Sequence, residues 1–348
     1  MSILLAVSGW SASPWRARLE RLLPGSPVAA LGEPFDRASV RYALSWRHPP
    51  GALADLPNLR VIFSLGAGVD HLFADPALPE KPIVRVVDPD LRERMSEWVV
   101  MHALIHLRQL RRYERQQRDR VWADDDDQPK AGDVRVGVLG LGVLGLDAAL
   151  KLQALGFKVA GWSATAKSAP GIESFCGPDG LRRLLPQSDV LIVLLPLTPE
   201  TRGILRASLF AGLKQGGPLG GPVLINAGRG GLQIEADILA ALESGVLKGA
   251  SLDVFEREPL PADSRLWTHP AVSTPRSPPP TLSSPQSLAR SRPSNAASRS
   301  ATWWIGSGDI EGGVKRRHER SLRVRETFMT GAANCKLVGR WRIVEADL

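Results

Sequence analysis

The sequence predicts an α/β chain of two doubly wound parallel-sheet domains, followed by a C-terminal tail expected to be disordered. Three observations carry this. Short apolar strand candidates alternate with helical stretches up to about residue 272, the pattern of parallel sheets covered by helices on both faces. In mid-chain, a strand, a glycine-rich turn and a helix follow one another without a gap, from Val134 to about Leu155. After Val272 both periodicities vanish: Ser273–Ser300 holds nine Ser, six Pro and four Arg, too little apolar surface to offset the entropy of ordering.

The totals agree. A chain of 348 residues suits two domains of ordinary size, and a 43% hydrophobic content suits globular cores. No apolar run reaches the roughly 18 residues a membrane span needs. The opening MSILLAVSGW has no basic region before its apolar stretch, so it reads as a first strand rather than a signal peptide. Two cysteines, Cys176 and Cys335, are too few for a disulfide framework and fit a reducing, cytoplasmic setting. The net charge of +8 is concentrated at one end: Val272–Leu348 carries 13 Lys/Arg against 6 Asp/Glu, and the rest of the chain 31 against 30. A basic tail can attract nucleic acid by charge alone. A solvated appendage without a partner is the simpler reading, so neither nucleic acid nor membrane is expected as a partner.

The elements follow in order. Ile3–Ser8 is a strand candidate, and Pro14–Gly25 opens on Pro and closes on Gly as helices tend to. Tyr42–Trp46, Leu59–Gly66 and Ile83–Asp88 are further strands, giving a small α/β domain over residues 1–98. A long helical pattern runs from about Leu91 to Trp122; its apolar positions Trp98, Met101, Leu104, Ile105 and Leu107 give way to a solvated RQLRRYERQQRDR. The acidic run Asp124–Asp127 reads as a solvated loop, because adjacent carboxylates converge poorly on one ion. No metal is expected. The second domain, residues 99–275 with this linking helix, has strand candidates at Val134–Gly140, Phe157–Trp162, Asp189–Pro196, Val223–Ala227 and Gly249–Val254. Their near-continuous apolar character suits a sheet buried on both faces. Residues 276–348 form the tail.

The glycine turn carries chemistry. Gly140, Gly142 and Gly145 sit in a G-x-G-x-x-G between a strand and a helix, which marks a Rossmann dinucleotide-binding domain far better than the motif alone. Gly140 permits the tight turn, Gly142 lets the backbone approach a pyrophosphate, and Gly145 lets helix and strand pack closely. The helix start at Val143 and Leu144 offers free N–H groups and a positive dipole to phosphate. At the end of the next strand an NAD site usually carries an acid for the ribose 2′-hydroxyl. Here Gly161–Gly171 reads GWSATAKSAPG, without one. Ser163, Thr165 and Lys167 suit a 2′-phosphate instead, which favours NADP while leaving NAD open.

Six phrases together resemble the D-isomer-specific 2-hydroxyacid dehydrogenases, and within them the glyoxylate/hydroxypyruvate reductase A group. They are LGAGVD (Leu65–Asp70), VLGLGVLG (Val138–Gly145), GWSATAKSAPGIESFCG (Gly161–Gly177), LLPLTPETRGI (Leu194–Ile204), INAGRGG (Ile225–Gly231) and LDVFEREPLP (Leu252–Pro261). The resemblance covers about residues 1–272. It implies a flavodoxin-like substrate domain, completed by a last helix, and NAD(P)H-dependent reduction of small 2-keto acids by a homodimer paired through the long helix region. Carried over by position, Arg229 holds the keto acid's carboxylate and carbonyl, a task that suits a planar two-pronged donor. Glu258 hydrogen-bonds the catalytic His and raises its pKa. Backbone N–H groups of Gly66, Ala67 and Gly68 bind the substrate carboxylate, and Trp46 lines the pocket. Leu195, Pro196, Thr198 and Thr201 flank the cofactor, and Asp253 approaches the nicotinamide amide.

One expected residue is missing. The family reads from a segment like HPAV to T-P-H, whose His is the acid. Here His269-Pro270-Ala271-Val272 leads to Thr274-Pro275-Arg276, and an arginine stays protonated at any working pH. Losing a general acid costs about 10²–10⁴ in rate. His48, His71, His102, His106, His269 and His318 are not obvious substitutes in sequence. The abrupt onset of Arg/Ser/Pro-rich text inside a motif looks like a reading-frame shift near Val272; if no other frame of the coding DNA restores T-P-H and an amphipathic helix, that idea fails. A cofactor-binding protein without turnover therefore stays open as an alternative to the active reductase. The GGPLGGP of Gly216–Pro222 reads as a lengthened surface loop able to shift the strand before Arg229.

Overall fold

The computed structural model describes residues 2–123 and 127–274, and the backbone of three short segments in the tail. The chain divides into two compact units, one built on Met1–Leu91 and the tail strands, the other on Arg92–Pro278.

In the first unit the strands are β1 (Ser2–Val7), β2 (Val28–Ala30), β3 (Val40–Trp46), β4 (Val61–Ser64) and β5 (Ile83–Val87), with helices α1 (Ser13–Leu22) and α2 (Asp70–Phe73) between them. They pair in parallel in the order β2-β1-β3-β4-β5, the flavodoxin-like order. Strand periodicity sends Leu4, Val40, Ala43 and Ile62 to one face with Leu53 and Leu72, and Leu5 to the other with Trp15, Ala30 and Leu65. Both faces are therefore covered. Leu53 is fully buried, and truncating such a leucine to alanine costs about 2–5 kcal/mol.

Three tail segments extend this sheet: β13 (Thr302–Gly306) runs antiparallel to β5, β15 (Trp341–Ala346) to β13, and β14 (Val324–Glu326) to β15. Without them β5 is an edge strand with a row of unpaired N–H and C=O groups, and TWWIG and WRIVEA have the β-branched and aromatic content that pairs with such an edge. The rest of the expected tail, with Arg276 and His318, lies outside the described residues, as do Asp124–Asp126 of the acidic run.

Helix α3 (Pro89–Leu107) starts at the end of the first unit and supplies the first residues of the second. The Asp88 carboxylate accepts from Asp90 N–H and Leu91 N–H, at 3.1 and 3.4 Å, and Pro89 occupies the first helical position, two favourable start signals in succession. The single helix expected from Leu91 to Trp122 is in fact two. Gln109 takes a left-handed conformation (φ +50°), and α4 (Leu110–Asp119) starts afresh with no buried residue. The break falls where the apolar face ends: Val99, Ala103 and Leu107 are buried in α3, and nothing in α4 holds it to the same axis.

The remaining elements are β6 (Arg135–Leu139), α5 (Val143–Ala154), β7 (Lys158–Ser163), β8 (Glu173–Cys176), α6 (Gly177–Leu184), β9 (Val190–Val193), α7 (Ala207–Ala211), β10 (Val223–Asn226), α8 (Glu235–Glu243), β11 (Gly249–Leu252) and β12 (Val272–Ser273). All strand pairs are parallel, in the order β8-β7-β6-β9-β10-β11-β12. The order reverses between β6 and β9, so loops at the strands' carboxyl ends flank a crevice there, where such folds bind ligands. The GGPLGGP loop leaves β10 in unbroken register with β9 and β11; positive φ at Gly216, Gly217, Gly220 and Gly221 lets it turn back on itself. Among the described residues no helix is long and apolar enough to cross a membrane.

Candidate cofactor and carboxylate sites

Each glycine of the cradle has its own physical reason. Gly140 turns the chain after β6 at φ +105°, where a Cβ would lie 2.7 Å from Leu194 O, and its N–H is tied to Trp162 O of β7 at 2.8 Å. A Cβ on Gly145 would overlap Gly140 O, so the helix can lie this close to the strand only with glycine. Gly142 differs: a Cβ there meets no protein atom within 4 Å. The fold does not demand glycine at Gly142, whereas a ligand approaching the backbone does. The first bond of α5 runs from Leu146 N–H to Gly142 O at 2.9 Å. It leaves the N–H groups of Val143, Leu144 and Gly145 at the helix mouth, with no capping side chain and no acid in the first turn. These features fit a dinucleotide pyrophosphate.

At the end of β7, Ser163 is buried and its hydroxyl donates to Thr165 O at 2.6 Å. Thr165 is exposed and Lys167 half-buried. No carboxylate lies between Gly161 and Gly171. This end of the strand offers hydroxyls and a cation, the groups a phosphate accepts from and pairs with.

The loop after β9 is knotted by threonines. Thr198 N–H donates to the Thr201 hydroxyl at 2.8 Å, and that hydroxyl donates to Pro196 O at 2.7 Å. Leu195 is buried beneath it and Pro196 exposed. The next loop carries Arg229 between two glycines that cannot be anything else. A Cβ on Gly228 would lie 2.9 Å from Leu195 O, and one on Gly230 would overlap Phe255 O. The loops after β9, β10 and β11 therefore touch backbone to backbone, with Arg229 on the middle one. Two buried amides brace it. Asn226 accepts from Gly228 N–H at 3.0 Å and donates to Gln233 Oε1 at 2.8 Å, and Gln233 donates to Val254 O at 2.9 Å. Arg229 Nη1 donates to Gly228 O at 2.8 Å, which turns the guanidinium back over its own loop. Asp253 N–H is bound by Asn226 O at 3.0 Å, and the Glu258 carboxylate accepts from Phe255 N–H at 3.2 Å. Arg229, Asp253 and Glu258 thus belong to one braced cluster with the cradle's neighbour loops.

In the first unit, Trp46 closes β3 and stacks on Trp10 at 4.6 Å between ring centroids. A Cβ on Gly66 would overlap its ring, so Trp46 lies directly over the Gly66–Gly68 loop. Ala67 and Gly68 follow, all three half-buried. Sequence reasoning missed the residues behind that loop, Ser64 and Arg85. The signal was present for Arg85, a lone cation inside the apolar strand IVRVVD.

The histidines have structural places. His48 is buried between Ser45 Oγ (2.6 Å) and Asp75 Oδ2 (3.0 Å). His71 Nε2 lies 2.9 Å from Ser64 Oγ. His106 lies 2.9 Å from Ser251 Oγ, and burial, helped by the charges of His102 and Arg111, pushes it down to about 3. His102 is buried against Trp98, and burial pushes it down to about 4. His269 accepts from Ala271 N–H at 3.2 Å in the turn before β12.

Comparison with known proteins adds an independent line. The family model described as "D-isomer specific 2-hydroxyacid dehydrogenase, NAD binding domain" matches residues 100–275. An NADPH-dependent glyoxylate/hydroxypyruvate reductase from Sinorhizobium meliloti, solved with NADP and sulfate, is similar at 47% identity over 83% of this chain and 91% of that one, with a TM-score of 0.73. A probable 2-hydroxyacid dehydrogenase from Rhizobium etli CFN 42, solved with NADP, HEPES and L(+)-tartaric acid, is similar at 44% over 83% and 92%, with a TM-score of 0.76. A D-isomer specific 2-hydroxyacid dehydrogenase from Xanthobacter autotrophicus Py2, solved with NADPH and MES, is similar at 39% over the same shares, with a TM-score of 0.73.

Proposed function

This chain belongs to the D-isomer-specific 2-hydroxyacid dehydrogenase family, and from that premise we propose that it binds NADPH and acts on small 2-keto acids of the glyoxylate and hydroxypyruvate class. The observation that carries the reading is Gly142: a glycine the fold does not need, at a helix mouth of free N–H groups, two strands from a braced arginine loop. Gly140, Gly142, Val143, Leu144 and Gly145 hold the pyrophosphate. Ser163, Thr165 and Lys167 take the 2′-phosphate. Leu195, Pro196, Thr201 and Asp253 flank the nicotinamide half. When bound, the dinucleotide supplies a hydride to the keto carbon.

The protein's own residues orient and polarise. The substrate carboxylate sits on backbone N–H groups of Gly66, Ala67 and Gly68, beside Trp46. Arg229 draws electron density towards the carbonyl oxygen with a fixed positive charge. The oxygen needs a proton to become the 2-hydroxyl. The sequence places Arg276 where the family has its acid, and Glu258 is left to hold a partner this chain does not supply from that position. A second reading follows from this one observation: a chain that binds NADPH and turns over slowly or not at all. The residues 1–98, 99–275 and 276–348 then act as carboxylate domain, cofactor domain and appendage. A second copy of the chain covers the apolar groove along α3, where Met101 and Leu110 are exposed.

The test is NADPH consumption with glyoxylate, for this chain and for Arg276→His. Binding of NADPH with turnover raised about 10²-fold or more by the histidine supports the reductase reading. Binding with no turnover in either form supports the second. A chain with no affinity for NADPH supports neither.

A further inference from the structure

The loop that follows β4 is held entirely from behind. Ser64 Oγ lies 3.0 Å from Gly66 O and 2.8 Å from Gly68 O and shares its single proton between them. Arg85 Nη1 donates to the carbonyl between them, Ala67 O, at 3.3 Å. His71 Nε2, 2.9 Å from Ser64 Oγ, completes the support. In a planar trans peptide the C=O and the following N–H point in opposite directions. Gly66 O shares its peptide with Ala67 N–H, and Ala67 O shares its peptide with Gly68 N–H. With both carbonyls drawn to one side, these two N–H groups face the other, and neither finds an acceptor among the described residues.

This arrangement also has a charge. A guanidinium on a peptide oxygen polarises that peptide and strengthens the hydrogen bond its N–H makes. Burial brings Arg85 down to about 10, so it remains a cation at neutral pH. We propose that Arg85 and Ser64 are positioning residues for the substrate carboxylate: Ser64 sets the direction of the Ala67 N–H, and Arg85 sets and polarises that of Gly68, so this loop contributes to anion binding through its backbone N–H groups. This rests on the reading of the loop as a carboxylate site.

Binding of oxalate, a small dicarboxylate with no reducible carbonyl, to the full chain preloaded with NADPH tests it, followed by quenching of tryptophan emission. Arg85→Met is expected to weaken oxalate about 10-fold or more, Ser64→Ala several-fold, and Arg85→Lys to recover most of the loss, because the charge matters more than the fork. NADPH affinity in Arg85→Lys and Ser64→Ala is expected to stay at the parent value while oxalate affinity falls, a split that a merely structural role does not give. A parent that binds NADPH and oxalate, with variants that bind oxalate equally well, overturns the positioning role. A parent that binds NADPH but no oxalate overturns the loop as a carboxylate site and the role with it. A parent that does not bind NADPH overturns the functional reading itself.

Discussion

Adding one methyl group at each of the cradle glycines separates fold from function. At Gly140 a Cβ lies 2.7 Å from Leu194 O and 2.9 Å from its carbonyl carbon, at φ +105°. Backbone crowding of this kind costs about 1–3 kcal/mol, and the positive φ adds about 1–2 kcal/mol for a non-glycine residue. Gly140→Ala is therefore expected to lose about 2–5 kcal/mol, which for a unit of this size lowers the thermal midpoint by roughly 5–20 °C. Gly142→Ala meets no protein atom within 4 Å and sits at φ −78°. It is expected to leave the midpoint within about 2 °C of the parent, or slightly above it, because alanine restricts the unfolded chain. Its methyl stands where the pyrophosphate must approach, and NADPH affinity is expected to fall about 100-fold or more. Differential scanning calorimetry and fluorescence titration with NADPH read the two effects on the same samples. A Gly142→Ala protein that is stable and binds NADPH like the parent would refute the cradle argument, as would one that melts as early as Gly140→Ala.

Four further outcomes follow from particular contacts. Ser163→Asp places a carboxylate at the end of β7, where it repels a 2′-phosphate and accepts from a 2′-hydroxyl; the ratio of NADPH to NADH affinity, taken by titration with each, is expected to fall about 100-fold. Arg229→Lys keeps the charge but loses the planar fork, so oxalate binding should weaken about 10- to 100-fold while NADPH affinity holds; an unchanged oxalate constant removes Arg229 from the site. His106 and His102 are held down to about 3 and 4 mainly by burial, so the folded chain stays unprotonated there while the unfolded chain takes up protons below about 6.5. Stability is then complete above about pH 6.5 and declines as pH falls towards 4, by up to about 1.4 kcal/mol per unit for each histidine; a midpoint that is flat from pH 7 to 4.5 contradicts this, and His106→Gln should lessen the slope. Met101→Asp puts a charge on the exposed apolar groove of α3 and should convert a dimer to a monomer in light scattering; an unchanged mass rules that groove out as the interface.

Much of this was written in local sequence. The apolar runs of β1, β3, β6, β9 and β10 are legible because a strand buried on both faces has almost no alternative composition, and Gly140, Gly142 and Gly145 are legible because their spacing reflects one turn and one helix start. Short strands such as β2, β8 and β12 were not, since two to four residues carry no periodicity. The helix break at Gln109 was also hidden, because every residue from Arg108 to Arg112 is compatible with a helix and only the loss of a buried face ends it.

The sequence by itself determined the fold class, and it carries the glycine spacing after β6, the arginine between Gly228 and Gly230 and the want of a histidine after Pro275, because each is a matter of which residue follows which. Tertiary structure alone decided why the glycines beside Arg229 are obligatory, through Leu195 O and Phe255 O arriving from distant loops. It likewise decided that Ser64 and Arg85 stand behind one loop though 21 residues apart. A hydrogen bond between neighbouring strands depends on pairing and register, which no single segment of the chain contains.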